Sequence, residues 1–308
     1  MNATVEPTVS PPRLQRRQGV AALGTAARTP RGRVGLGITA FVVSVAVIGP
    51  FVAPDSATSF AGVPFAKPSA NSWLGTDALG RDVLSRLLDG GWVLLLMALA
   101  ATLFGLVVGG TAGISAAYLR GRSDGLIMRT VDVILAFPSI VFALLLVSLV
   151  GPKLWLIVIA VGLSHAPQVA RVLRSATLDI SERDYVKSIE LQGVRPARVM
   201  WSEIVPNLIS PLMVEAGLRL TFSIVIMSGL SYLGFGQAPP APNWGYMINE
   251  NRIGLQLNPW GVIVPALFIA LLTIGVNTFT DSVARVAIGV EGRPVEAALI
   301  GATPGEAP

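Results

Sequence analysis

The chain has 308 residues, 52% of them hydrophobic and 13% charged. A soluble domain carries about 25% charged residues, so this one lacks the polar groups to cover a water-facing surface. With no cysteine and one histidine, His165, it excludes disulfide, zinc-ribbon and iron–sulfur frameworks, a thiol nucleophile and histidine-based triads.

Six runs lack Asp, Glu, Lys and Arg: Val34–Pro54, Gly90–Leu119, Val133–Pro152, Leu154–Ala170, Leu220–Asn249 and Ile253–Thr280. A helix of about 20 such residues crosses the roughly 30 Å hydrocarbon layer. The reading is therefore an all-α polytopic membrane protein of six transmembrane helices, near 34–54, 93–119, 133–152, 154–172, 210–236 and 260–281. Residues 1–33, with Pro7, Pro11, Pro12, Pro30 and six arginines, read as a disordered tail. The run after them is too long for a signal-peptide core, so it reads as an uncleaved span.

Residues 55–76 form a Pro/Ser/Ala-rich loop. In the second span Gly105, Gly109 and Gly113 recur every fourth residue, a stripe where another helix approaches closely, within one bundle or between subunits. Pro138 should kink the third span and Pro265 the sixth. His165, in the fourth, reads as a packing residue. Glu215 and Arg219, spaced i, i+4, form a helix-end pair in the fifth. Residues 290–308 read as a second tail.

With the amino terminus inside, the inner segments hold 18 of the 23 Lys and Arg and the outer ones 5. Lys and Arg are retained on the cytoplasmic side during insertion, so both termini are placed in the cytoplasm. The same scatter of basic residues over four segments excludes nucleic acid as a partner, which needs a continuous stripe.

The longest inner segment, 171–219, is also the most patterned. Ser181 with Asp184 three residues on resembles a capping box. Gly193 is placed to end a helix in the left-handed conformation. Pro196 suits the first turn of a second helix, and Pro206 is expected to stop it. The pairs Met200/Ile204 and Trp201/Val205 give that helix an apolar face. Two short helices meeting at a glycine are thus expected to project into the cytoplasm and offer that face to a partner, or lay it on the bilayer or on neighbouring helices.

This segment resembles the EAA loop of binding-protein-dependent ABC importer permeases. Asp184, Tyr185, Val186, Gly193, Pro206 and Asn207 match the family pattern, whereas Lys187-Ser188-Ile189 replaces Glu-Ala-Ala and Glu203 replaces a histidine. The stretch Trp73-Leu74-Gly75-Thr76-Asp77-Ala78-Leu79-Gly80-Arg81-Asp82 and its continuation to Arg86 is similar to the region before the second span in C-type dipeptide/oligopeptide permease subunits. So are Ala117–Asp124 with Met128–Pro138, and Leu230–Gly236 with Pro242–Gly245. The resemblance spans about residues 34–289 and implies a type I ABC importer permease-like fold, with 173–207 as the cytoplasmic coupling segment.

It further implies a second homologous permease subunit, two cytoplasmic ABC ATPase subunits, an extracytoplasmic substrate-binding protein and the lipid bilayer as partners. ATP and Mg belong to the ATPase subunits. This chain is expected to hold no cofactor and no metal and to be no enzyme, since none of Lys67, Lys153 and Lys187 follows a glycine as a P-loop requires. The matching residues Asp184 to Asn207 are assigned to ATPase coupling. Gly75, Asp77, Gly80, Arg81 and Asp82 are assigned to an extracytoplasmic gate or binding-protein contact. The competing reading of that block is an interfacial helix with Asp82, Arg86 and Asp89 on a solvated face. Dipeptides or oligopeptides are the implied cargo. The alternatives are nickel complexes or glutathione, an ion-coupled carrier, which lacks mid-membrane carboxylates here, and a non-transporting scaffold.

Overall fold

The computed structural model describes residues 22–237 and 239–288. Residues 1–21 of the expected amino-terminal tail, and all of 290–308, lie outside them. The rest of that tail is ordered. Residues 22–26 are helical, and Ala26 is fully buried. Helix α1 (Pro30–Val52) starts at Pro30, with the Thr29 hydroxyl accepting from Gly32 N at 2.9 Å. The Thr29 hydroxyl also meets Ser282 at 2.7 Å. A cap and a tertiary contact supply order that composition alone does not announce.

There follow α2 (Val83–Asp89), α3 (Trp92–Leu119), α4 (Gly121–Leu135), α5 (Ser139–Val150), α6 (Leu154–Ser181), α7 (Asp184–Leu191), α8 (Pro196–Tyr232), α9 (Trp244–Asn251) and α10 (Trp260–Ala287). Among the described residues no strand forms. Five helices (α1, the joined α2–α3, α6, α8 and α10) are long and apolar enough to cross a membrane, and six if the bent pair α4–α5 counts as one span.

That pair corrects the expected third span. The chain turns by 88° between α4 and α5, because the Pro138 ring cannot continue the helix. The first three residues of the expected span, 133–135, are the end of a helix that begins at Gly121 and carries Arg122, Asp124, Arg129 and Asp132, and the rest of the span holds the separate, shorter α5. Pro265, by contrast, sits inside α10 without interrupting it.

The glycine stripe of α3 packs on α6. A Cβ at Gly105 would stand 2.7 Å from the carbonyl oxygen of Gly162, and those at Gly109 and Gly113 would meet Ala166 O and Ala170 O closer still. The two series rise in step, so α3 and α6 run parallel. Gly35 of α1 meets Phe279 and Gly275 of α10 in the reverse sense. These directions put the 53–91 segment and α9 at one end of the bundle, and α7 with the start of α8 at the other.

Gly109→Leu is expected to destabilise the bundle by at least the 1–3 kcal/mol typical of overpacking, read as a lower melting temperature in detergent. Gly110→Ala is the contrasting case. Its Cβ would meet only the movable Leu173 Cδ1, at 3.2 Å.

Candidate functional site

At the α7 end, two short helical arms meet at Gly193. Its φ of +76° is the left-handed value, and a Cβ there would meet nothing within 4 Å. Glycine is therefore required by the backbone alone. Val186 is fully buried with Leu173, Ile180, Val199, Ile204 and Leu208, which fastens α7 to the ends of α6 and α8. Asn207 Nδ2 donates to the Tyr185 hydroxyl at 3.3 Å and also to Glu203 O. Burial pushes the Tyr185 phenol above its usual pKa, so it stays protonated at neutral pH. Asp184 is exposed in the first turn of α7, where the helix dipole favours its charge.

Two local expectations are corrected here. Ser181 is not a cap: it is the last residue of α6, and its hydroxyl donates to Leu178 O at 3.0 Å. Arg183 stands at the N-cap position of α7 instead. Pro206 does not stop the second helix. The π turn Met200–Ile204 and the 3-10 turn Val205–Leu208 carry the chain past it, and the helix runs on from Pro196 to Tyr232. The proline falls where those turns need no regular α bond. Of the positions expected for the apolar face, it largely takes the one against neighbouring helices: Ile204 is fully buried and Met200 and Val205 pack beside it. Trp201, 67% exposed, and Leu191, 89% exposed, are left outside.

Tyr185→Phe removes one neutral hydrogen bond, worth about 0.5–1.5 kcal/mol. The expected result is a slightly lower melting temperature with transport retained. Tyr185→Ala, which also strips the packing against Val186 and its neighbours, should lower both.

At the opposite end, the Gly75–Arg86 block is not a solvated helix. Asp77, Arg81, Asp82 and Arg86 are 0%, 3%, 3% and 1% exposed. The positive φ of Gly75 and Gly80 folds the loop so that Asp77 Oδ1 accepts from Leu79 N at 2.8 Å and Arg81 N at 2.9 Å. Asp77 Oδ2 faces Arg81 Nε at 2.7 Å and Arg86 Nε at 3.2 Å. Both arginines then reach Glu250 of α9, at 2.5 Å and 2.9 Å. Two cations and two carboxylates balance in a site nearly closed to water, the condition under which buried charge is tolerated. Asp82 caps α2 by accepting from Ser85 N at 2.7 Å.

Further bonds stitch the same end together. Asn251 Oδ1 accepts from Ala78 N at 3.0 Å, and Asn258 Nδ2 donates to Leu74 O and Thr76 O, both at 3.0 Å. Trp244 Nε1 donates to Leu87 O at 2.8 Å. Sequence reasoning misses Glu250, Asn251 and Asn258, and meets Trp244 only within the Pro242–Gly245 resemblance. Their one signal is Glu250-Asn251-Arg252, an isolated charged patch between two long charge-free runs.

Inside the bundle, Glu215 and Arg219 do pair, at 3.1 Å. His165 is 2% exposed, and its Nε2 has no hydrogen-bond partner. Among the described residues no group of three or more His, Cys, Asp or Glu side chains is placed to hold a metal.

Residues 105–287 match the family described as binding-protein-dependent transport system inner membrane component. The chain is 36% identical over 214 residues to the glutathione transport system permease protein GsiD of Pectobacterium atrosepticum, covering 70% of this chain and 71% of the relative. It is 33% identical to the dipeptide transport system permease protein DppC of Alkalihalophilus pseudofirmus, covering 80% and 82%. It is 35% identical to the di/tripeptide transport system permease protein DppC of Pseudomonas aeruginosa, covering 80% and 84%. These likenesses remove the ion-coupled carrier and the scaffold as readings. The chain belongs to the family of binding-protein-dependent transport system inner membrane components, as a multi-pass permease subunit of an ABC transporter in the bacterial inner membrane.

Proposed function

We propose that this subunit forms half of the translocation pathway of an ATP-driven importer of short peptides. It works with a second homologous permease subunit, two cytoplasmic ATPase subunits that hold ATP and Mg, and an extracytoplasmic binding protein. Both termini and the α7 end face the cytoplasm, which the distribution of Lys and Arg supports.

Asp184, Tyr185, Val186, Gly193, Pro206 and Asn207 form or brace the element that docks on an ATPase subunit. The observation that carries this reading is continuity: one helix runs from Pro196, beside Gly193, to Tyr232. A displacement of the docked arm is thereby passed to the membrane without a flexible joint, and docking that differs between two ATPase states shifts the permease between two conformations. Exposed Trp201 and Leu191 supply the apolar contact. Gly75, Asp77, Gly80, Arg81 and Asp82 build a rigid outer closure on which the binding protein seats.

Glutathione is the second reading of the cargo, supported by the name of the first relative. The test is uptake into proteoliposomes holding the full complex and binding protein. ATP-dependent accumulation of labelled dialanine supports peptides, and accumulation of glutathione alone moves the assignment to that tripeptide. No nucleotide-dependent flux of either rejects the proposal.

A further inference from the structure

Arg219 stands on α8 one turn before Ser223, whose hydroxyl accepts from Thr102 of α3 at 3.1 Å in the middle of the bundle. Its side chain is 11% exposed and that of its partner Glu215 is 7%. The guanidinium lies 5.2 Å over the Phe222 ring, a cation–π contact that fixes its plane. Its ion pair with Glu215 nevertheless leaves hydrogen-bonding capacity unused. Arg219 Nε and Glu215 Oε2 both lack a hydrogen bond despite their 3.1 Å separation. Across the interface with α6, the buried His165 leaves Nε2 without a partner.

A cation at this depth faces a bundle interior or a water-filled cavity, because lipid leaves it unsolvated. The neighbouring face of α8 is open, with Phe222 50% and Val225 49% exposed. A planar guanidinium held over an aromatic ring, with its Nε unsatisfied, is a group that matches a carboxylate in bidentate geometry. Glu215 neutralises the cation while the site is empty. We propose that Arg219 binds the carboxylate of the solute as it passes along the pathway, and that the Phe222–Val225 face of α8 lines that pathway. This rests on the import of short peptides or glutathione, both of which carry the required carboxylate.

The absence of cysteine from the chain makes single-cysteine reporters clean. In the assembled complex, the thiol of a Val225→Cys variant, about 9 Å along the helix from Arg219, should react with a charged, membrane-impermeant methanethiosulfonate. Millimolar dialanine should slow that reaction about tenfold, as expected for a charge-assisted contact. Dialanine amide should not. Adding Arg219→Gln should abolish the protection, whereas Arg219→Lys should keep part of it. A Val225→Cys thiol that does not react, equal protection by acid and amide, or protection that survives Arg219→Gln each overturns the assignment. Uptake of dialanine or glutathione by the unmodified complex is measured in parallel. If uptake is ATP-dependent and protection is absent, this site fails while the transport reading stands. If neither solute is taken up, both fall.

Discussion

Gly193→Val is expected to lower ATP-dependent uptake by at least tenfold while leaving the protein in the membrane at its normal level. At φ +76° a β-branched residue is a steric outlier, and the left-handed region costs an ordinary residue about 1–2 kcal/mol. Each 1.4 kcal/mol is a factor of ten in the population of the docking-competent shape. Nothing lies within 4 Å of the added Cβ, so no clash confuses the result and the effect is a backbone effect. Gly193→Asn supplies the control, because asparagine visits this region more readily, and it should retain most of the uptake. The measurement is transport together with stimulation of the ATPase subunits by loaded binding protein. Full coupling in the valine variant would remove the docking role of this turn.

Glu250→Gln should produce a large loss of stability at the outer end. It leaves Arg81 and Arg86, 3% and 1% exposed, with Asp77 as their one carboxylate. Breaking a buried pair in this way costs about 3–5 kcal/mol, a large fraction of the 5–15 kcal/mol that keeps a typical protein folded. A fall in melting temperature and in purified yield would register it. The double variant Glu250→Gln with Arg86→Leu removes one charge of each sign and leaves Asp77 and Arg81 at 2.7 Å. It should recover most of the loss. A Glu250→Gln variant that melts like the unaltered chain would show that the network carries no net stability.

Much of this architecture is legible because hydrophobic runs and glycine spacing are local. The charge-free stretches locate the long helices, the stripe at 105, 109 and 113 locates a close helix contact, and Gly193 announces its own φ. The failures are long-range. Nothing near Asp82 and Arg86 marks them as buried. Their helix looks solvated until Glu250, 164 residues beyond Arg86, is brought against it. The usual helix-ending habit of Pro206 is overridden by the π and 3-10 turns around it. Val133–Pro152 passes as one span because an apolar run has no direction, so an 88° turn within it leaves no trace beyond Pro138. Arg219 and Glu215 are legible as a pair, but not the fact that their pairing leaves hydrogen-bonding capacity unused.

The π turn at Met200–Ile204, with Val205 N donating to Met200 O, holds the two stretches of α8 out of phase. An α-helix advances about 100° per residue, and a π turn accommodates an extra one. Deleting a single residue from this turn would let regular winding resume and would swing Trp201, Leu191 and the whole docking arm about the helix axis by roughly that angle. The compass bearing of the arm relative to the membrane-embedded stretch is thus set by one surplus residue.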